Sequence, residues 1–242
     1  MLNSTHTLSR RPIISNMPSF KSAFISYQTT DKVAAGVLKK ELSRIGITSF
    51  LAHEDIEVSE EWRTKILTEL ATAELFICLL SENYLKSFWC VQESGMAASR
   101  EDLLVVPLSL DDTIPIGFLS HMQSAKVLSE SIGLTDIAPA LLKGKTTKGL
   151  ATLVELIGAS NNYSNAESTF AVILPMLREL DPEQGKRLLE LSHSNDQIHH
   201  AGRCAKNYVP ETLNIFGHLI TAEQRKFLVS TCNRLGAEIT NV

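Results

Sequence analysis

Glu93 and Trp89 are the pair in this chain whose types and spacing suit chemistry on a bound molecule. They stand four apart in the segment 88–100, which reads as a helix behind the N-capping Ser87, so they lie one above the other on one helical face. A carboxylate placed there can stabilise positive charge developing on a ligand, and an indole beside it can wall that charge off from water. Taken singly, each has a plainer role: a solvated surface glutamate, and a tryptophan anchoring its helix to a core. Other groups invite a metal and fall short of one. His200 and Cys204 have a metal-holding i, i+4 spacing, but no other His/Cys pair matches it. Asp111 and Asp112 are adjacent with no third ligand nearby and read as a turn.

The elements around the pair give it a place. Residues 75–80, LFICLL, form an unbroken apolar run of the kind that a strand buried on both faces shows. A short turn and then the helix 88–100 follow, so the carboxylate and the indole emerge beyond the carboxyl end of a central strand, where open α/β sheets take ligands. Upstream, a strand at 22–27, a helix at 31–44 with the stripe Val33, Val37, Leu38 and Leu42, a stop at Gly46 and a strand at 47–52 complete a β-α-β unit. A helix at 60–72 carries Trp62, Ile66, Leu67 and Leu70, and strands at 103–110 and 125–128 follow the Glu93 helix. The predicted fold is α/β, a flavodoxin-like five-stranded parallel sheet with helices on both faces. In that order the crevice opens between the first and third strands, whose ends carry Ser26, Tyr27 and Ser81. A phosphoacceptor receiver on this fold needs acidic residues after the first strand and an Asp ending the third, whereas the chain has Tyr27-Gln28 and Leu80-Ser81.

From Leu134 the pattern is helical throughout, with segments at 134–142, 149–157, 166–180, 182–192, 196–208, 211–219 and 222–239. Pro175 is expected to kink or break its helix, and Pro182 to start one. The polar run 161–165 reads as a boundary, dividing the chain into a leader at 1–19, a sheet domain at 20–160 and a small all-α domain at 161–242 that governs self-association or receives a partner.

The 242 residues are 44% hydrophobic and 21% charged, an ordinary globular balance. A formal charge of −4, with no Lys/Arg run longer than two, leaves no electrostatic footprint for nucleic acid. Cys78, Cys90, Cys204 and Cys232 form no C-x-x-C pair and suit free thiols in a reducing compartment, the cytoplasm. No apolar stretch approaches the ~20 residues a membrane helix needs. Residues 1–19 lack the apolar core of a secretory signal and read as a disordered leader.

Several boxes in order carry a resemblance: Phe24-Ile25-Ser26-Tyr27, then Phe50-Leu51-Ala52-His53-Glu54-Asp55-Ile56, then Ser81-Glu82-Asn83-Tyr84, Ser87, Trp89-Cys90 and Glu93, with Pro115-Ile116-Gly117-Phe118-Leu119 further on. Over about 21–128 the chain resembles TIR (Toll/interleukin-1 receptor) domains of the bacterial type. The resemblance implies an NAD glycohydrolase with Glu93 as catalytic residue. It further implies that Ser26, Tyr27, Ser81 and Trp89 contact the dinucleotide, and that the loop carrying His53 and Asp55 covers the nucleotide. Nicotinamide in NAD is a cationic pyridinium and leaves neutral without a general acid, so positive charge develops on the ribose and a carboxylate stabilises the oxocarbenium-like transition state. With no G-x-G-x-x-G cradle in the chain, NAD is expected as substrate rather than as cofactor, and no metal is expected. The products expected are nicotinamide with ADP-ribose or a cyclic variant, in antiviral defence or stress signalling, with a downstream effector sensing the nucleotide. Family members become active when TIR domains line up, which implies self-association. The alternative is a non-catalytic adaptor module, a type whose members often lack the glutamate.

Overall fold

The computed structural model describes residues 19–52, 61–143 and 146–240. Five parallel strands, β1 (Ser22–Ser26), β2 (Thr48–Leu51), β3 (Leu75–Leu80), β4 (Leu104–Ser109) and β5 (Ala125–Lys126), line up in the order β2-β1-β3-β4-β5. The chain order reverses between β1 and β3, so a crevice opens at their carboxyl ends. The apolar run of β3 is buried at every position, as expected of a central strand covered on both faces.

Strand alternation sorts the sheet into two cores. Phe24, Phe76, Cys78 and Leu80 point to one side, where they pack with Phe50 and with Ile66 and Leu70 of α2 (Trp62–Thr72) and Cys90 and Ala97 of α4 (Phe88–Ala98). Ala23, Ile25, Leu75, Ile77 and Leu79 point to the other, onto Ala34, Ala35, Leu38 and Leu42 of α1 (Lys32–Arg44) and a much larger set of helices. Between β3 and α4 the turn expected from the sequence is a short helix, α3 (Glu82–Lys86). Its cause is Ser81, whose Oγ accepts from the Tyr84 N–H at 3.1 Å and so satisfies an otherwise orphaned donor.

The larger core continues through α5 (Leu134–Leu141), α6 (Thr147–Gly158), α7 (Tyr163–Ile173), α8 (Pro182–Ser194), α9 (Asp196–His199), α10 (Val209–Phe216) and α11 (Ala222–Arg234). Pro175 ends the α-helical run, and Leu174–Glu179 is a 3-10 turn. The segment expected as one helix at 196–208 is broken instead. Pro210 has no N–H to offer the Lys206 carbonyl, and the turn before it, Cys204–Tyr208, widens to a π-helix.

Packing runs straight across the polar segment 161–165. Leu150, Leu153, Val154, Leu156 and Ile157 of α6 are buried, in the same core as Phe170 of α7 and Leu188 of α8. Arg187 on α8 clasps Glu155 on α6 with two hydrogen bonds, at 2.8 and 3.1 Å. Asn195 donates to the carbonyls of Gly158 and Ser160, each at 2.9 Å, and Gln184 to that of Thr147 at 3.0 Å. The sheet is tied in as well: Phe20 N–H donates to Thr152 Oγ1 at 2.9 Å, and Arg44 of α1 to the Ala159 carbonyl. Asn162 is the N-cap of α7, so the polar run is a capped turn between packed helices.

Candidate active site

Ser26 is the last residue of β1, and alternation turns it to the α4 side together with Phe24. Helix α4 starts beyond α3 under the Ser87 cap, whose Oγ accepts from Cys90 N–H at 3.4 Å, and it carries Glu93 back over the end of β1. The two side chains meet: Ser26 Oγ donates to Glu93 Oε2 at 2.5 Å. Tyr84 of α3 completes a network, its hydroxyl lying 2.9 Å from Ser26 Oγ, 2.8 Å from Ser94 Oγ and 3.2 Å from the Cys90 carbonyl oxygen.

Glu93 is 1% exposed. Its Oε1 has no hydrogen-bond partner among the described residues. Burial pushes its carboxyl up to about 7, against the lowering effect of the Ser26 hydrogen bond, and no cation among the described residues offsets the desolvation. Cys78 and Cys90 are pushed to about 12 and about 11 by burial, so both are neutral thiols near neutral pH. A carboxylate with one oxygen held and the other open, in apolar surroundings, is poised to bind a donor or to face positive charge.

The structure brings together Ser26 and Glu93 from the expected set. Tyr27, next to Ser26, falls on the opposite face and is buried in the α1 core. Ser81 is occupied locally: it caps α3 and donates to Asp31 Oδ2 at 2.8 Å. Asp31 is raised, chiefly by burial and further by the charge of Asp111, while the Ser81 bond lowers it. Trp89 is 38% exposed, and its ring meets that of Trp62 edge-on at 4.1 Å, which joins α4 to α2. The pair His53 and Asp55 lies outside the described residues. Asp111 and Asp112 form a turn: Asp111 accepts from the N–H groups of Glu82 and Thr113 at 2.9 and 3.2 Å, and Asp112 has φ of 68° and pairs with Lys126. His199 Nδ1 lies 2.8 Å from the Ser192 carbonyl oxygen, so it is engaged in the helical core.

Two members of the network were missed by sequence reasoning, Tyr84 and Ser94. The one available signal was the Ser81-x-x-Tyr84 spacing, which fixes the helix that aims Tyr84 back at β1. A cavity of about 540 Å³ lies elsewhere, at the amino end of β1 and along the outer edge of β2 between Lys39, Lys65 and Glu69. It contains none of the Glu93 network. Near the site, α4 and the 3-10 turn Gly117–Leu119 present an apolar surface, with Phe88 85%, Phe118 79% and Ile114 71% exposed. Phe118 lies beside α4 at Gly95, where a Cβ would stand 4.0 Å from its ring, an ordinary contact.

Residues 23–138 match the protein family described as TIR domain. Among solved structures, the chain is similar to the TIR domain of the Toll-related receptor TRR-2 from the lower metazoan Hydra magnipapillata. The identity is 20% and the TM-score 0.39, over 43% of this chain and 82% of that one. No curated protein matches.

Proposed function

Because residues 23–138 of this chain are a TIR domain, we propose that it is an NAD glycohydrolase in which Glu93 is the catalytic residue. The observation that carries this reading is the buried Glu93 carboxylate with Oε2 held by Ser26 and Oε1 without a partner. In the reaction the C1′–N bond breaks with its electron pair going to the pyridinium nitrogen, so nicotinamide departs neutral. Ionised Glu93 faces the ribosyl cation, Oε1 accepting from a ribose hydroxyl and its charge opposing the charge on the sugar. Water adding at C1′ and losing a proton gives ADP-ribose, and an adenine nitrogen adding there gives a cyclic product.

At 1% exposure the carboxylate meets NAD only after its covering groups move. Alignment of TIR domains would supply that rearrangement, with the helices after Leu134 setting how copies meet. Four buried free cysteines suit a reducing compartment, where NAD is also found, and we place the protein in the cytoplasm. No helix of the described residues is long and apolar enough to cross a membrane. An effector that senses the nucleotide product in defence or stress signalling would complete the pathway. The test is to incubate the purified full chain with NAD across a range of protein concentrations and quantify nicotinamide, ADP-ribose and cyclic products by chromatography. Nicotinamide release that rises more steeply than protein concentration is expected. No release at any concentration sinks the reading.

The apolar surface beside α4 favours a second reading, an interaction module that recruits other TIR domains. Phe88 and Phe118 are too exposed to serve the core, and exposed aromatics of this kind act as anchors when buried against a partner. The double variant Phe88→Ser with Phe118→Ser is expected to weaken self-association at least about tenfold per residue, read as a lower mass by light scattering. An unchanged mass at every concentration excludes this face. Loss of mass together with loss of NAD turnover would make assembly part of catalysis.

A further inference from the structure

The hydroxyl chain behind Glu93 has a direction. Each hydroxyl has one proton. Ser26 gives its proton to Glu93 Oε2 at 2.5 Å, so toward Tyr84, 2.9 Å away, Ser26 Oγ can only accept. The Tyr84 hydroxyl has two acceptors in reach, Ser26 Oγ and, farther off at 3.2 Å, the Cys90 carbonyl oxygen; with its proton on the nearer Ser26, it accepts toward Ser94, 2.8 Å away. All three hydroxyls then point the same way, Ser94 to Tyr84 to Ser26 to the carboxylate. Such a series polarises each member and strengthens the last bond. A protonated Glu93 would reverse it, giving its proton toward Ser26 and freeing Tyr84 to donate to the Cys90 carbonyl oxygen at 3.2 Å.

We propose that Tyr84 is a positioning residue for Glu93, its hydroxyl orienting the Ser26 proton onto the carboxylate and linking that carboxylate to the protein surface through Ser94. The proposal rests on the catalytic reading of Glu93 for its functional consequence, while the hydroxyl contacts stand on geometry and their common direction belongs to the proposal. Tyr84 is 1% exposed and Ser94 half-buried, so the chain runs from a fully enclosed group to a partly wet one. The titratable groups around the network are Tyr84 on α3, Cys90 on α4 and Cys78 on β3, and burial raises all three so that they stay protonated. Tyr27, just beyond β1, faces the other core. With no cation among the described residues to hold it ionised, Glu93 depends on this donated hydrogen bond.

The test is Tyr84→Phe in the full chain, which keeps the ring in the core and deletes one hydroxyl. The first readout needs no activity: a carbon-13 NMR titration of the Glu93 side-chain carboxyl, assigned by its absence in Glu93→Gln. The midpoint is expected to rise by about one pH unit, because the hydrogen bond favouring the charged form is weakened. The second is the pH profile of nicotinamide release, whose acidic limb is expected to move by the same amount with KM little changed at high pH. Ser94→Ala, at a partly exposed position, is expected to shift the midpoint in the same direction by less, and it serves if Tyr84→Phe does not fold. An unmoved midpoint in the folded variants overturns the proposal even if the wild type cleaves NAD. A moved midpoint in a protein that never cleaves NAD upholds it and removes the glycohydrolase reading instead.

Discussion

Glu93→Gln is expected to lower nicotinamide release by about 10²–10³-fold or more while the chain stays folded, the scale of losing one preorganised electrostatic contact in the transition state. Glutamine keeps an oxygen to accept from Ser26 and nearly the shape of the side chain, so packing changes little. A variant retaining more than about a tenth of wild-type turnover would remove Glu93 from the catalytic role. The same substitution has a stability signature of known sign. In the folded chain the Glu93 carboxyl is raised from 4.5 to about 7, chiefly by burial. Between those values the native state holds a proton that the unfolded state has released. Stability due to this group is therefore complete below about pH 4.5 and is lost as pH rises through about 7. The shift corresponds to about 3 kcal/mol as an upper figure. Urea unfolding at pH 5 and pH 8 is expected to show this decline in the wild type and a flatter profile in Glu93→Gln. Parallel profiles would mean that the carboxyl is not held as the geometry indicates.

A chain cut after residue 160 is expected to be insoluble or unfolded. Helix α6 would keep Leu150, Leu153, Val154, Leu156 and Ile157 while losing the α7 and α8 side chains that cover them, among them Phe170, Leu188 and Leu189. Re-exposing a buried aliphatic side chain costs about 1.5–3 kcal/mol, and several at once are comparable with the whole 5–15 kcal/mol that holds a typical domain together. The Arg187 clasp on Glu155 and the Asn195 bonds to the end of α6 go with them. Circular dichroism and limited proteolysis of the 1–160 fragment decide the matter. A monodisperse fragment with native-like helix content and protease resistance would show that the sheet does not need the later helices. If the fragment fails, the influence of those helices on assembly has to be tested with surface substitutions rather than deletion.

The central strand was legible because a run buried on both faces has a signature of its own, and 75–80 is the observed β3. The motif singles out Glu93, and the structure places it buried against Ser26. Ser26 and Tyr27 were not separable at that level: neighbours in a strand face opposite ways, and which face α4 covers is a property of the assembled layers. Tyr84 was hidden by the break at Ser87, which interrupts helical periodicity just where Tyr84 and Ser94 become neighbours. Trp89 reads in the sequence as a ligand wall or as an anchor for its helix, and only the packing of α2 beside α4 brings its ring against that of Trp62, 27 positions earlier. The polar run 161–165 had the composition of a linker, and a capped turn between packed helices has the same composition. A better signal stood just before it. Helix α6 is apolar almost all round, which a helix with one solvated face is not.

The two cores flanking the sheet are unequal, and the Glu93 network belongs to the thinner one, in which α2, α3 and α4 cover Phe24, Phe76 and Cys78. On the other side, α1 and α5 to α11 share one continuous core. Amide protons therefore have two escape routes of different cost. Those of α2 and α4 are expected to be released by partial opening of the thin layer, and those of α6 and α8 only by global unfolding. Native-state hydrogen–deuterium exchange is expected to show α2 and α4 exchanging well ahead of α6 and α8, with a smaller denaturant dependence than global unfolding. Equal protection in both layers would argue against such an opening. The layer that holds Glu93 would then be the one that loosens while the rest stays folded, and a neighbour docking on α4 would act on that equilibrium directly.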